Sequence, residues 1–190
     1  MKVAVIGGAG RMGRWLVRYF VSQGHGVVVS DVRLDEARAV AEEAGVEVAG
    51  SNVEAVKDAD LVVVSVPIGA TPAVVREIAP HSRKGTVIAE ISSLKARAAE
   101  ALAELAGLGV RPLSLHPLFG PGVRRLKGMK VAVVPILDSK AETKLAEELF
   151  PEAEIVVAAA EEHDRAMALT LSLPYFVNMA FASVIGGEDL

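Results

Sequence analysis

Short runs of β-branched and apolar residues alternate with amphipathic stretches over most of the chain. The strand-like runs are Val3–Ile6, Val27–Ser30, Leu61–Val66, Thr86–Ile91, Leu113–His116, Val131–Pro135 and Ile155–Ala158. Between them, apolar residues recur at helical spacing in Arg11–Gln23, Leu34–Ala44, Ala70–Ala79, Lys95–Ala106 and Ala141–Leu149. Strand–helix–strand alternation with short connections predicts an α/β fold, a Rossmann-like, doubly wound, mostly parallel sheet over residues 1–160. Leu61-Val62-Val63-Val64 is apolar at successive positions, as a strand covered on both faces must be.

The pattern changes after Ala160. Residues from Glu161 to about Ile185 read as one long helix with acidic residues in its first turn, which suits the helix dipole. Beyond that turn the helix is apolar nearly all round, from Met167 through Leu173, Phe176 and Phe181 to Ile185, and so must be buried against something. Pro174 is expected to bend it, because proline removes a donor and clashes with the preceding turn. Residues 161–190 thus read as the start of a helical dimerisation domain. With no intrachain partner beyond the sheet domain, the helix is expected to pair between two copies as a homodimer.

Composition narrows the class. Apolar residues make up 52% of the 190 and aromatics 4%, so the core is aliphatic. Lys and Arg number 20 against 24 Asp and Glu, a formal charge of −4 that argues against nucleic-acid binding through bulk phosphate attraction. Without cysteine, disulfides and thiolate sites are excluded, and no metal site is expected. The N-terminus reads as a strand rather than a signal peptide, and no apolar run reaches the roughly 18–20 residues of a membrane span. A cytoplasmic protein without a membrane partner is expected.

Two places carry chemistry. The first strand runs directly into Gly8-Ala9-Gly10-Arg11-Met12-Gly13, and a helix begins near Arg11. Such a turn either is a bare glycine turn of an α/β protein or, as expected here with strand, helix and acid in register, binds a dinucleotide: Gly8 for the tight turn, Gly10 for close approach of the pyrophosphate, and Gly13 for helix–strand packing. Arg11 and Met12 open the helix whose N-terminus faces the phosphates. Asp31 ends the second strand, where a carboxylate bonds the adenosine ribose and repels a 2′-phosphate, so NAD is expected over NADP. Arg33 either accommodates that extra phosphate or is simply solvated. Val66 and Pro67 lie at the sheet's carboxyl edge and are expected to line the cofactor channel, although Pro67 could equally just end a strand.

The second place is His116. Of the four histidines, His25 and His81 lie in turn or loop sequence, whereas His116 closes an apolar strand at the functional edge and is fixed by Pro117. A histidine there can hold or take a substrate hydroxyl proton near neutral pH, or it can be structural. His116-Pro117-Leu118-Phe119-Gly120-Pro121 resembles the signature of the prephenate dehydrogenase family, which includes arogenate dehydrogenases. Glu90-Ile91-Ser92-Ser93-Leu94-Lys95 is similar to that family's Asp-x-x-Ser-x-Lys segment, with Glu90 in place of the aspartate. Glu162-His163-Asp164 followed by Leu173-Pro174 resembles the start of its helical domain.

The resemblance implies NAD-dependent oxidative decarboxylation of prephenate to 4-hydroxyphenylpyruvate, or of arogenate to tyrosine. In it His116 accepts the hydrogen bond of the ring hydroxyl and Ser93 orients that pair. Ser92, His163, Tyr175 (where the family often has histidine) and Arg124 of the basic run Arg124-Arg125 are expected to meet the substrate. Ser92 or Ser93 could instead cap the following helix. The family's helical domain is longer and supplies a substrate-binding arginine, so the resemblance implies a chain truncated there. Two other readings carry the glycine turn: a small NADP-dependent reductase of the deazaflavin type, and a non-catalytic dinucleotide-binding module.

Overall fold

A computed structural model describes residues 1–186; the last four residues of the predicted 161–190 segment lie outside the described residues. The elements follow in the order β1 (Lys2–Ile6), α1 (Arg11–Ser22), β2 (Gly26–Ser30), α2 (Leu34–Ala44), β3 (Glu47–Val48), α3 (Asn52–Val56), β4 (Leu61–Val64), α4 (Thr71–Ile78) and β5 (Val87–Glu90). Then come α5 (Ala96–Ala103), β6 (Arg111–Pro117), β7 (Lys130–Val134), α6 (Ser139–Leu149), β8 (Glu154–Val157), α7 (Ala160–Met167) and α8 (Leu173–Ile185). The strands form one sheet in the order β3-β2-β1-β4-β5-β6-β7-β8.

The sheet is the Rossmann-like, doubly wound and mostly parallel one predicted. Only β6 and β7 pair antiparallel. A parallel partner needs a crossover, usually helical, and the proline- and glycine-bearing loop between these strands contains no helix. β1 explains the layering: Val3 and Val5 join a core with Leu16, Phe20 and Phe150, while Ala4 and Ile6 join a second core with Ile78, Ile88 and Leu102. Alternate side chains of a strand point to opposite faces, so both faces are covered. β3 and α3 were not predicted; they have two and five residues, too few for a period to register.

The long C-terminal helix forms, with its regular hydrogen bonding altered just ahead of Pro174. Residues Ala168–Ser172 adopt a π-helix, with Pro174 in the first turn of α8. A π turn shifts the bonding pattern by one residue, one way to absorb proline's missing donor. None of the α8 residues is buried. The expectation that nothing reaches membrane-span length is also corrected: Ala160–Ile185 is long and apolar enough by length and composition. Small polar residues such as Thr170, Ser172 and Asn178 interrupt the apolar run without making the segment as a whole polar.

Candidate active site

β1 and β4 are neighbours in the sheet but not in sequence, so their following connections diverge and leave a crevice at their carboxyl ends. The glycines shape it by contact. Gly7, not Gly8, makes the tight turn, with φ +78°, and a Cβ there would lie 2.3 Å from the Ser65 carbonyl oxygen. Gly8 instead packs on Val29, where a Cβ would come within 2.6 Å of a methyl group. A Cβ on Gly13 would lie 2.1 Å from the Gly7 carbonyl oxygen, so only glycine lets α1 approach the turn. Gly10 precedes α1 without a side-chain cap, leaving the helix N-terminus to face an anion.

The resulting groove, of about 370 Å³, is lined by Gly10, Arg11, Met12, Asp31, Val66 and Pro67 among others. Asp31 is held in place: its carboxylate accepts the Ala9 N–H at 3.0 Å and the Arg33 backbone N–H at 3.0 Å. Arg33 is not simply solvated. It lines the groove, and its guanidinium pairs with Glu36 at 2.8 Å and Asp31 at 3.3 Å. A fit to a dinucleotide follows from these contacts: a glycine cradle that a Cβ would fill, an uncapped helix, and a fixed carboxylate beyond it.

A second cavity, of about 570 Å³, contains His116 with Phe119, Gly120, Met167, Thr170 and Leu171. It shares Met12, Ile91 and Ser93 with the groove, so the two hollows meet at one wall. The π segment supplies Thr170 and Leu171.

His116 is 7% exposed, and its Nδ1 lies 2.9 Å from His163 Nε2. His163 Nδ1 in turn lies 2.9 Å from Asp164 Oδ1. Burial pushes the Asp164 carboxyl up, but bonds from His163 and from the Lys95 and Ala96 backbone N–H groups outweigh it and hold it below its ordinary value. An ionised carboxylate only accepts, so His163 Nδ1 carries a proton, and in the neutral His163 ring Nε2 is the acceptor. His116 Nδ1 is then the donor, which leaves His116 Nε2 unprotonated as a base for the cavity. Burial first, then the nearby Lys95 charge, lowers the His116 pKa from 6.5 to about 4, against an opposing effect of Asp164. At neutral pH the ring is neutral.

Beneath this relay lies an ion pair with no exposure. Lys95 Nζ is 2.6 Å from Glu90 Oε1, and both side chains are 0% exposed. Glu90 also accepts the Ser92 N–H and the Ser114 hydroxyl, and Lys95 donates to the Leu115 carbonyl. Burial pushes the Lys95 ammonium down, and Glu90 opposes it. Asp164 ties the two layers together, because its carboxylate accepts the N–H groups of Lys95 and Ala96 at the start of α5.

Several expected residues fall elsewhere. Neither Ser92 nor Ser93 caps α5; Asp164 serves from another element. Ser92 is buried against Thr71 at 2.9 Å, although it also borders the groove, while Ser93 sits on the shared wall. His163 has both ring nitrogens engaged, one with His116 and one with Asp164. Tyr175 is 68% exposed on α8, outside the cavity. Arg124 lies in a different cleft, because the chain turns away from the cavity after Gly120. The contributions of Gly7, Lys95 and Asp164 were missed. Lys95 and Asp164 both lie in the segments that carry the resemblance, but nothing local sets Asp164 apart within Glu161-Glu162-His163-Asp164-Arg165. Among the described residues no cluster suited to a metal ion occurs.

A family model described as "NADP oxidoreductase coenzyme F420-dependent" matches residues 2–94, the glycine-turn half that stops short of His116. Over 97% of the chain, the sequence is 32% identical to a probable arogenate/prephenate dehydrogenase of Methanocaldococcus jannaschii and covers 42% of that protein. It is also 32% identical to a 4-amino-4-deoxyprephenate dehydrogenase of Streptomyces pristinaespiralis, of which it covers 63%. The chain therefore spans roughly half the length of these relatives. The solved structure of Aquifex aeolicus prephenate dehydrogenase with hydroxyphenyl propionate and NAD+ has the same fold, with a TM-score of 0.83 at 18% identity over 97% of this chain and 68% of that one.

Proposed function

Because the chain is a relative of arogenate and prephenate dehydrogenases along 97% of its length, we propose that it is the catalytic part of an NAD-dependent dehydrogenase acting on prephenate or arogenate in tyrosine biosynthesis. The observation that carries this reading is the wall of Met12, Ile91 and Ser93 shared by the glycine-turn groove and the His116 cavity. A hydride donor in the cavity and an acceptor in the groove would meet there.

NAD supplies the hydride acceptor when bound. Gly7, Gly10 and the N-terminus of α1 would cradle its pyrophosphate, Asp31 would take the ribose hydroxyls, and Val66 and Pro67 would line the channel. Asp31 and Glu36 repel a 2′-phosphate, and Arg33 is already engaged with both, which favours NAD over NADP. His116 Nε2 accepts the hydrogen bond of the substrate's ring hydroxyl and draws off positive charge as hydride leaves the same carbon. The ring carboxylate would depart as carbon dioxide, its bonding pair completing the aromatic ring, and the proton drawn to His116 Nε2 as hydride leaves would return to the phenol oxygen. Ser93 orients the hydroxyl. His163 and Asp164 hold His116 in the tautomer that leaves Nε2 free.

We further infer that residues 161–190 begin a helical domain, that α8 pairs with a second copy in a homodimer, and that the protein is cytoplasmic. The exposed Phe176, Met179 and Phe181 support pairing. The deazaflavin reading explains neither the His116 cavity nor the engaged Arg33. Calorimetric titration with NAD+ beside NADH production from prephenate and arogenate tests the proposal. Saturable NAD+ binding with turnover of either substrate is expected. Binding without turnover would favour the dinucleotide-binding module, and neither would overturn the reading.

A further inference from the structure

A third hollow, of about 570 Å³, lies on the far side of the loop that follows His116. One wall is a face of α1, where Trp15, Arg18, Tyr19 and Ser22 recur at helical spacing. The opposite wall is the segment from Pro121 to Leu126, with Arg124 and Arg125 at its middle.

Its polar lining is strongly one-sided. Arg18, Arg124 and Arg125 bring three guanidinium groups, and Glu152 is the sole carboxylate. Among the described residues none of the three arginines forms an ion pair, so their charge is open to a ligand. The backbone beneath the arginines is also fixed. Trp15 Nε1 donates to the Val123 carbonyl at 2.7 Å, Val123 N–H closes a turn on Gly120, and Leu126 at the end of the segment is buried. Trp15 and Tyr19 stack at 5.1 Å as the floor, and Tyr19 is tied to the Leu149 carbonyl at 2.8 Å. With the backbone and floor already fixed, only the arginine side chains are ordered when an anion enters, and guanidinium groups match oxyanions in charge and in paired donor geometry.

We propose that this cleft is a second ligand site, separate from the groove and the His116 cavity, and that it binds a small multivalent oxyanion. Two or more carboxylates, or a phosphate group, would lie against Arg18, Arg124 and Arg125. A monoanion would satisfy only one of them. Volume agrees, since sites for small molecules fall at about 300–1,000 Å³. Phe119 and Gly120 line the His116 cavity while the residues directly after them line this cleft, so one loop walls both.

Trp15 is the single tryptophan, and its indole touches the segment that carries the arginines. Its fluorescence therefore reports on the cleft. Citrate and inorganic pyrophosphate should each be titrated at fixed ionic strength, with acetate as the monoanion control. The expected result is a saturable change with at least one multivalent probe and none with acetate. In the Arg124→Ser/Arg125→Ser and Arg18→Ser variants, both at exposed positions, the affinity should fall tenfold or more while NAD+ affinity stays unchanged. Which probe binds more tightly distinguishes carboxylate from phosphate recognition. A change that survives in the variants would place the anion in the glycine-turn groove instead, and no saturable change with either probe would equally overturn the proposal. Neither result bears on the dehydrogenase reading, which NAD+ binding and turnover test separately.

Discussion

Replacing Lys95 with methionine isolates the buried charge pair beneath the relay. Methionine fills a similar volume, so the change is mainly electrostatic. Glu90 would lose the cation 2.6 Å away and keep only two neutral donors, the Ser92 N–H and the Ser114 hydroxyl, in a place with no solvent exposure. The Leu115 carbonyl would lose its side-chain donor as well. Removing one partner of a buried pair costs about 3–5 kcal/mol, because the other charge is left uncompensated. For a chain of this length each kcal/mol moves Tm by about 2–4 °C, so Lys95→Met should lower it by about 6–20 °C. Adding Glu90→Gln removes the stranded charge while keeping a group that can accept from Ser92 and Ser114. The double variant should recover at least about 2 kcal/mol relative to the sum of the two single changes. Urea unfolding followed by far-ultraviolet circular dichroism on all four proteins completes the cycle. A loss below about 1 kcal/mol for Lys95→Met, or simple additivity, would refute the argument.

Other consequences follow from single contacts. Folding lowers the His116 pKa from 6.5 to about 4, so the fold favours the neutral ring. Its contribution is complete above pH 6.5 and is lost as pH falls through 4, by at most about 3 kcal/mol; the stability difference between wild type and His116→Asn should shrink over that range, and a constant difference would count against the shift. Gly13→Ala forces a Cβ to within 2.1 Å of a backbone oxygen, which should destabilise the fold by about 1–3 kcal/mol or more and abolish NAD+ binding by calorimetry. Asp164→Asn weakens the hold on His163 and on the start of α5; turnover should fall more than NAD+ affinity, whereas equal falls would mean a general loss of structure. Phe176→Glu with Phe181→Glu on exposed α8 should shift a sedimentation profile from dimer to monomer, and an unchanged profile would exclude α8 from the contact.

The sheet was legible because its information is local. Valine-rich runs such as Leu61–Val64 and the glycine turn after β1 declare themselves within a few residues. His116 was legible for the same reason, being fixed between a strand and a proline. What escaped was set by distant contacts. Asp164 caps a helix 68 residues earlier in the chain, and no local pattern announces that. Gly7 carries the turn because the Ser65 carbonyl approaches from β4, a strand far along the chain. Arg124 looked like a substrate anchor by proximity in sequence, yet the loop turns after Gly120 and carries it to another face. The π segment ahead of Pro174 was not foreseen, because proline's missing donor says that the helix must adjust but not how.

The most direct test of the central claim sets turnover against cofactor affinity in His116→Asn. If the free Nε2 of His116 serves as the base, turnover should fall by about 10²–10⁴-fold, the usual contribution of a positioned base. NAD+ should still bind within about twofold of wild type, because the groove's own contacts remain intact. Turnover that survives the substitution, or a loss of NAD+ binding equal to the loss of turnover, would contradict the account.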